Sequence, residues 1–131
     1  MKKVTGLGGI FYKVKDTENH KEWYRKNLGI ESDQYGGKFT WRDEDDPSKK
    51  CLTAWSPFPS DTRYFDPGKQ EFMINYRVEN LDDLLKELKK AGVEMAGEPE
   101  STDYGKFAWI IDPDGYKVEL WEPVDDPLLD E

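Results

Sequence analysis

The apolar positions of this chain repeat themselves. Gly9-Ile10-Phe11-Tyr12-Lys13-Val14 sits over Met73-Ile74-Asn75-Tyr76-Arg77-Val78, with Ile, Tyr and Val matched at alternate places and a cation kept between the last two. Further along, Gly37-Lys38-Phe39-Thr40-Trp41 sits over Gly105-Lys106-Phe107-Ala108-Trp109, and Leu52-Thr53-Ala54-Trp55-Ser56-Pro57 over Val118-Glu119-Leu120-Trp121-Glu122-Pro123. Three collinear matches at nearly constant spacing mark a duplicated module. Each copy predicts a strand of period two, a helix, and about three further strands. The first helix runs from Thr17 to Leu28, with Trp23, Tyr24 and Leu28 as its apolar positions and Gly29 as its stop. The second runs from Leu81 to Ala91. Its Leu81, Leu84, Leu85 and Leu88 fall on one helical stripe, and Gly92 stands where a left-handed cap is wanted.

Turns are expected at Tyr35-Gly36-Gly37 and Asp112-Pro113-Asp114-Gly115, and the charged run from Asp43 to Lys50 reads as a solvated loop. The boundaries are module one at 4–57, a linker at 58–70, module two at 71–124 and an acidic tail at 125–131, all in a single domain, 1–131. Three prolines together with Phe58, Tyr64 and Phe65 make the stretch from Ser56 to Gln70 too aromatic to wave in water. It is expected to pack on the body, across a cavity mouth.

The alternation also assigns faces. An amphipathic helix must cover an apolar sheet face, so Ile10, Tyr12 and Val14, with Ile74, Tyr76 and Val78, are expected under the helices. Leu52 and Ala54, with Val118 and Leu120, join that set. The opposite face then collects Phe11, Trp55, Met73 and Trp121 around Lys13, Thr53, Asn75, Arg77 and Glu119. Bulk and charge mixed in this way suit neither a bare sheet nor a sealed core. They suit a small-molecule pocket in a curved sheet. The fold class is therefore α+β: two tandem βαβββ modules forming a cup-shaped mixed sheet, with helices on the convex face.

Composition narrows the partners. With 28 acidic against 19 basic side chains the net charge is −9, which disfavours nucleic acid. No run of the 131 residues approaches a membrane span, so neither membrane nor secretion is expected and a cytoplasmic setting is. The aromatic share of 14% supplies core area that the modest apolar fraction would not. Cys51, the one cysteine, excludes an intrachain disulfide and a thiolate zinc cluster, and without a histidine partner in view it is not expected to be a catalytic thiol.

A first strand ending Val14-Lys15-Asp16, a helix end Trp23-Tyr24…Leu28-Gly29 and the closing Asp112-Pro113-Asp114-Gly115-Tyr116-Lys117-Val118-Glu119-Leu120 resemble the glyoxalase/bleomycin-resistance/extradiol-dioxygenase, or vicinal oxygen chelate, superfamily. The resemblance spans nearly the whole chain. It implies a fold and leaves the reaction open, since the superfamily holds lyases, epoxide-opening transferases, ring-cleaving oxygenases and drug-binding proteins. Its metal-dependent members place four ligands on the cavity face, and the motif anchors carry these to Gly9, Thr53, Met73 and Glu119. Of those only Glu119 is a credible ligand for a hard divalent ion, so no metal or other cofactor is expected. His20, the lone histidine, is assigned to the surface of the first helix, and Trp23 to helix–sheet packing.

Glu119 has two readings: a carboxylate paired with Lys13 or Arg77 or solvated in a wet cavity, or a general base or anchor for a ligand cation. Lys13 and Arg77 are either rim charges or clamps for an anionic group. Trp55 and Trp121 stand between core and ligand platform, and alternation leaves the faces of Trp41 and Trp109 open. Three functions follow. The first is a binding protein for an aromatic, cationic or antibiotic-like molecule in an aromatic-lined cavity, with Phe11, Lys13, Thr53, Trp55, Met73, Asn75, Arg77 and Trp121 as ligand-binding residues. The second is a glyoxalase-type lyase or isomerase using Glu119 as base, with or without an unrecognised metal. The third is a dimerisation or regulatory module whose cavity is filled by its own side chains. The resemblance also implies a homodimer.

Overall fold

A computed structural model describes residues 3–124, so the acidic tail at 125–131 lies outside the described residues. The elements run β1 (Val4–Val14), α1 (Thr17–Leu28), β2 (Gly37–Arg42), β3 (Lys50–Pro59), β4 (Phe72–Val78), α2 (Leu81–Lys90), β5 (Glu100–Thr102), β6 (Gly105–Ile111) and β7 (Lys117–Pro123). They form one seven-stranded sheet in the order β2-β3-β1-β4-β7-β6-β5. The two copies meet at the centre, where β1 and β4 pair antiparallel. Each of these first strands also pairs in parallel with the last strand of its own module, β1 with β3 and β4 with β7. The sheet is the curved, mixed α+β sheet of two tandem modules. Module one is the leaner copy. Where module two has β5, it has an isolated bridge between Asp33 and Gly36.

Both helices start and stop where the chain marks them. Asp16 caps α1 by accepting from the Asn19 amide, and Gly29 ends it in the left-handed region at φ 70°. Asn80 caps α2 by accepting from the Asp83 amide, with Gly92 at φ 82° just beyond its end. Leu81, Leu84 and Leu85 of α2 bury against Val78, Ala108 and Leu120, with Tyr76, Ile110 and Val118 packed around them. The faces of β4 and β7 are thus the ones alternation assigns. Among the described residues no helix is long and apolar enough to cross a membrane.

Module one departs from expectation in two ways. Its helix covers the sheet with rings: His20 stacks on Tyr24 at 4.5 Å between ring centres, lies 6.1 Å from Trp55, and bonds the Tyr12 hydroxyl at 2.8 Å. His20 is therefore half-buried in a cluster of rings and not the free surface group expected. Trp23, expected beneath the helix, is 54% exposed and touches the edge of Tyr24. The buried residue of α1 is instead Lys21, with its ammonium on the Asp33 carbonyl and the Glu18 carboxylate.

The second departure is register. Phe11 of β1 pairs with Ser56 of β3, while its counterpart Asn75 of β4 pairs with Glu119 of β7. Ser56, not Thr53, therefore holds in β3 the place Glu119 holds in β7. The sequence match Leu52–Pro57 over Val118–Pro123 is displaced from the structural one by three residues. An odd displacement sends every side chain to the other face.

Candidate functional site

The face away from the helices is a cup divided in two. One half is closed by the segment between β3 and β4. There Phe65 is fully buried with Met73 and Trp109, and Phe11, Phe58 and Phe107 pack around them. This strap is pinned by its own polar contacts. Lys117 Nζ donates to the Tyr64 carbonyl at 2.7 Å, and Gln70 Nε2 donates to the Lys117 carbonyl at 3.1 Å. The aromatic linker thus packs across part of the cup mouth.

The other half is open, a cavity of about 790 Å³. Its walls include Phe11 of β1, Leu52, Ala54 and Ser56 of β3, and Phe107 and Trp121 of β6 and β7. Phe107 and Trp121 stack nearly parallel, 6° apart, at 5.8 Å. Residues of the loop from Glu31 to Lys38, with Tyr104 opposite, complete the lining.

Glu119 lies at the floor between the two halves, 2% exposed. Oε1 accepts from Asn75 Nδ2 at 2.6 Å, and Oε2 accepts from Trp109 Nε1 at 2.8 Å and from the Tyr64 hydroxyl. Burial, then the neighbouring Glu119 charge, push the Tyr64 phenol far above its ordinary pKa, so it stays a donor. Burial lowers the pKa of Lys117, against the opposing pull of Glu119 and Asp66. Its ammonium lies over the Tyr64 and Trp109 rings. Arg77 is buried between the indoles of Trp41 and Trp121, at 5.5 and 5.3 Å, and donates to the Leu52 carbonyl at 3.4 Å.

Of the residues singled out by alternation, Phe11, Asn75, Glu119 and Trp121 come together in the cavity lining. Met73 shares their face but is sealed under the strap, and Arg77 lies beneath Trp121. Lys13 is not in the lining. Its Nζ sits 5.8 Å above Phe65. Two assignments are corrected by the register of β3. Trp55 lies under α1 against Tyr12, His20 and Tyr24. Thr53 Oγ1 donates to the Leu7 carbonyl at 2.6 Å and accepts from Trp41 Nε1 at 2.9 Å, away from the cavity. By the same shift Leu52 and Ala54, expected under the helix, line the cavity instead.

Alternation missed Ser56, Phe107, Tyr35, Tyr104 and the three-donor cage of Glu119. Phe107 and Trp109 were reachable, because the tight turn at 112–115 sets them opposite Trp121 and Glu119. Tyr64 was signalled only by the aromatic character of its segment.

The profile of the Glyoxalase/Bleomycin resistance protein/Dioxygenase superfamily matches residues 6–120. The chain belongs to this superfamily. Among solved structures of the superfamily fold it is similar to methylmalonyl-CoA epimerase from Mycobacterium tuberculosis, at 20% identity over 98% of this chain and 95% of that one, with a TM-score of 0.60. A Streptomyces coelicolor methylmalonyl-CoA epimerase in complex with 2-nitronate-propionyl-CoA is 15% identical over 92% and 99% of the two chains, with a TM-score of 0.67. A Mn(II)-bound glyoxalase from Novosphingobium aromaticivorans is 22% identical over 93% of this chain, which spans 40% of that longer one, with a TM-score of 0.59. No curated protein matches the chain by sequence.

The superfamily's metal can be tested against the donors this chain offers. Gly9 has no side chain, and Met73 is a fully buried thioether. On β3 the position is Ser56 by register, whose hydroxyl donates to the Tyr35 carbonyl at 2.9 Å; Thr53, the position by sequence, is bonded elsewhere. Glu119 alone has the hard anionic oxygens such an ion requires. Among the described residues no three His, Cys, Asp or Glu side chains gather as a metal-binding group. The donor set does not fit a divalent ion.

Proposed function

We propose that this chain is a small-molecule binding protein that works without a divalent metal or other cofactor, holding a ring-bearing ligand in the open half of its cup. The observation that carries this reading is the cavity of about 790 Å³, walled by Phe11, Phe107 and Trp121 and floored by Asn75 and Glu119. Its size and lining are those of a pocket that buries most of a drug-sized molecule. Phe107 and Trp121 are already stacked on each other, so a platform for a flat ring costs little to organise.

The lyase or isomerase reading needs Glu119 to take a proton from a substrate. Its oxygens already accept from Tyr64, Asn75 and Trp109, an arrangement suited to holding a charge in place more than to abstracting a proton. The vestigial-cavity reading describes the strap half, where Phe65 fills the cup, and does not extend to the open half.

Two measurements test the proposal. Elemental analysis of the purified protein is expected to find no stoichiometric divalent ion, and one ion per chain would overturn the metal-free reading. A thermal-shift panel of ring compounds, antibiotic-like molecules included, is expected to contain stabilisers. A ligand at about 100 times its Kd adds about 2.7 kcal/mol. A panel in which no ring compound raises the midpoint overturns the binding reading.

A further inference from the structure

We propose that the ligand of this cavity carries a protonated amine, which seats at Asn75 Oδ1 and Glu119 while its ring lies against Trp121 and Phe107. This rests on reading the cavity as a small-molecule site. The interior polar groups divide by type. The donors of the floor and the inner wall are engaged within the protein. Trp121 Nε1 donates to the Tyr104 carbonyl at 2.9 Å, the Ser56 hydroxyl to the Tyr35 carbonyl at 2.9 Å, and Asn75 Nδ2 to Glu119 at 2.6 Å. The buried cations nearest the floor are engaged too, Lys117 by the Tyr64 carbonyl and Arg77 by the Leu52 carbonyl and two indole faces.

The acceptors differ. Asn75 Oδ1 has no hydrogen-bond partner although the residue is only 2% exposed. A carboxylate can only accept, so Glu119 orients the amide with Nδ2 towards itself and leaves Oδ1 towards Gly8, a residue of the cavity lining. A buried carbonyl oxygen without a donor is costly, and a ligand that supplies the donor recovers that cost. Glu119 Oε1 beside it has a second lone-pair direction and a negative charge, which favours a cation over a neutral donor.

The surroundings agree. A Cβ on Gly8 would strike Asn75 Oδ1 and come within 3.0 Å of the Trp121 ring, so glycine here is what lets Asn75 and Trp121 sit directly against β1 at the floor. Glu31 and Asp33 add two carboxylates at the cavity wall against the one ammonium of Lys38, so with Glu119 the lining stays acidic, and aromatic faces attract cations in their own right.

Three indoles of matched shape test this by equilibrium dialysis against the wild-type chain: tryptamine, a cation; 3-ethylindole, neutral; and indole-3-propionate, an anion. Tryptamine is expected to bind about tenfold or more tightly than 3-ethylindole, with indole-3-propionate weakest. In Glu119→Gln the advantage of tryptamine should shrink towards the neutral compound. Should that variant not fold, the side-chain amide resonance of Asn75 in the wild type gives a second readout: it should move on adding tryptamine and stay put with 3-ethylindole. If the three compounds bind alike, or the anion binds best, the amine assignment falls while the cavity stands as a ring site. If none binds, the amine assignment falls, and the panel of ring compounds described above decides separately whether the binding reading falls with it.

Discussion

The two modules solve the same packing problem with different side chains. Under α2, leucines at helical spacing meet Val78, Ala108 and Leu120 in an aliphatic layer. Under α1, His20 and Tyr24 meet Tyr12 and Trp55 in a layer of rings, closed by the hydrogen bond between Tyr12 and His20. The second half of the comparison lies across the sheet. In module two the last strand sends Glu119 and Trp121 into the cup; in module one the equivalent strand sends Leu52, Ala54 and Ser56 there and gives its tryptophan to the helix. Duplication preserved the backbone plan while the two last strands came to carry different chemistry into the cup. A cup whose one last strand is acidic and aromatic while the other is small and neutral has room for a ligand.

The largest effect should come from the two tryptophans. Trp55→Ala and Trp121→Ala each remove a buried indole and are expected to cost about 3–5 kcal/mol in chemical denaturation. They part on binding. Where still folded, the Trp55 variant should hold ring ligands as the wild type does, and the Trp121 variant about tenfold more weakly. Equal binding losses in both would return Trp55 to the cavity and erase the difference between the modules.

A smaller effect concerns the ring layer under α1. Burial lowers the pKa of His20 below its ordinary 6.5. As pH falls through that value the unfolded chain takes the proton first, so the stability present above it is lost on acidification towards the folded pKa. The chain has one histidine, so its imidazole signal in NMR is unambiguous. It should titrate below 6.5 in the folded protein, and His20→Gln should remove this part of the pH slope. A midpoint at or above the ordinary value would put the ring in water.

The smallest effect is at Trp23. Half-exposed on the outer flank of α1, it should tolerate alanine with a change within about 0.5 kcal/mol of wild-type stability by denaturant midpoint. A loss of several times that would make it the helix–sheet contact that its sequence position suggests.

Much of this was legible in the chain. Collinear matches marked the duplication, leucine spacing marked α2, Gly29 and Gly92 marked the helix ends, and a turn after Ile111 marked the last hairpin. Alternation placed Phe11, Asn75, Glu119 and Trp121 on one face because a strand has no other way to dispose successive side chains. It could not place Trp55. Alternation sets which residues share a face, but the phase between strands depends on which residue sits beside which in the sheet. In β3 that was decided by its pairing with β1, which seats Ser56 beside Phe11. The cage around Glu119 was beyond reach for a related reason. Tyr64, Asn75 and Trp109 come from three separate segments, and their convergence on one carboxylate is a matter of distance in space. Local spacing therefore determined the elements, the duplication and the character of the cup. Only the tertiary structure decided which half of the cup is filled, which tryptophan faces it, and which buried oxygens still lack a donor, because strand pairing and long-range hydrogen bonds are set between segments far apart in the chain.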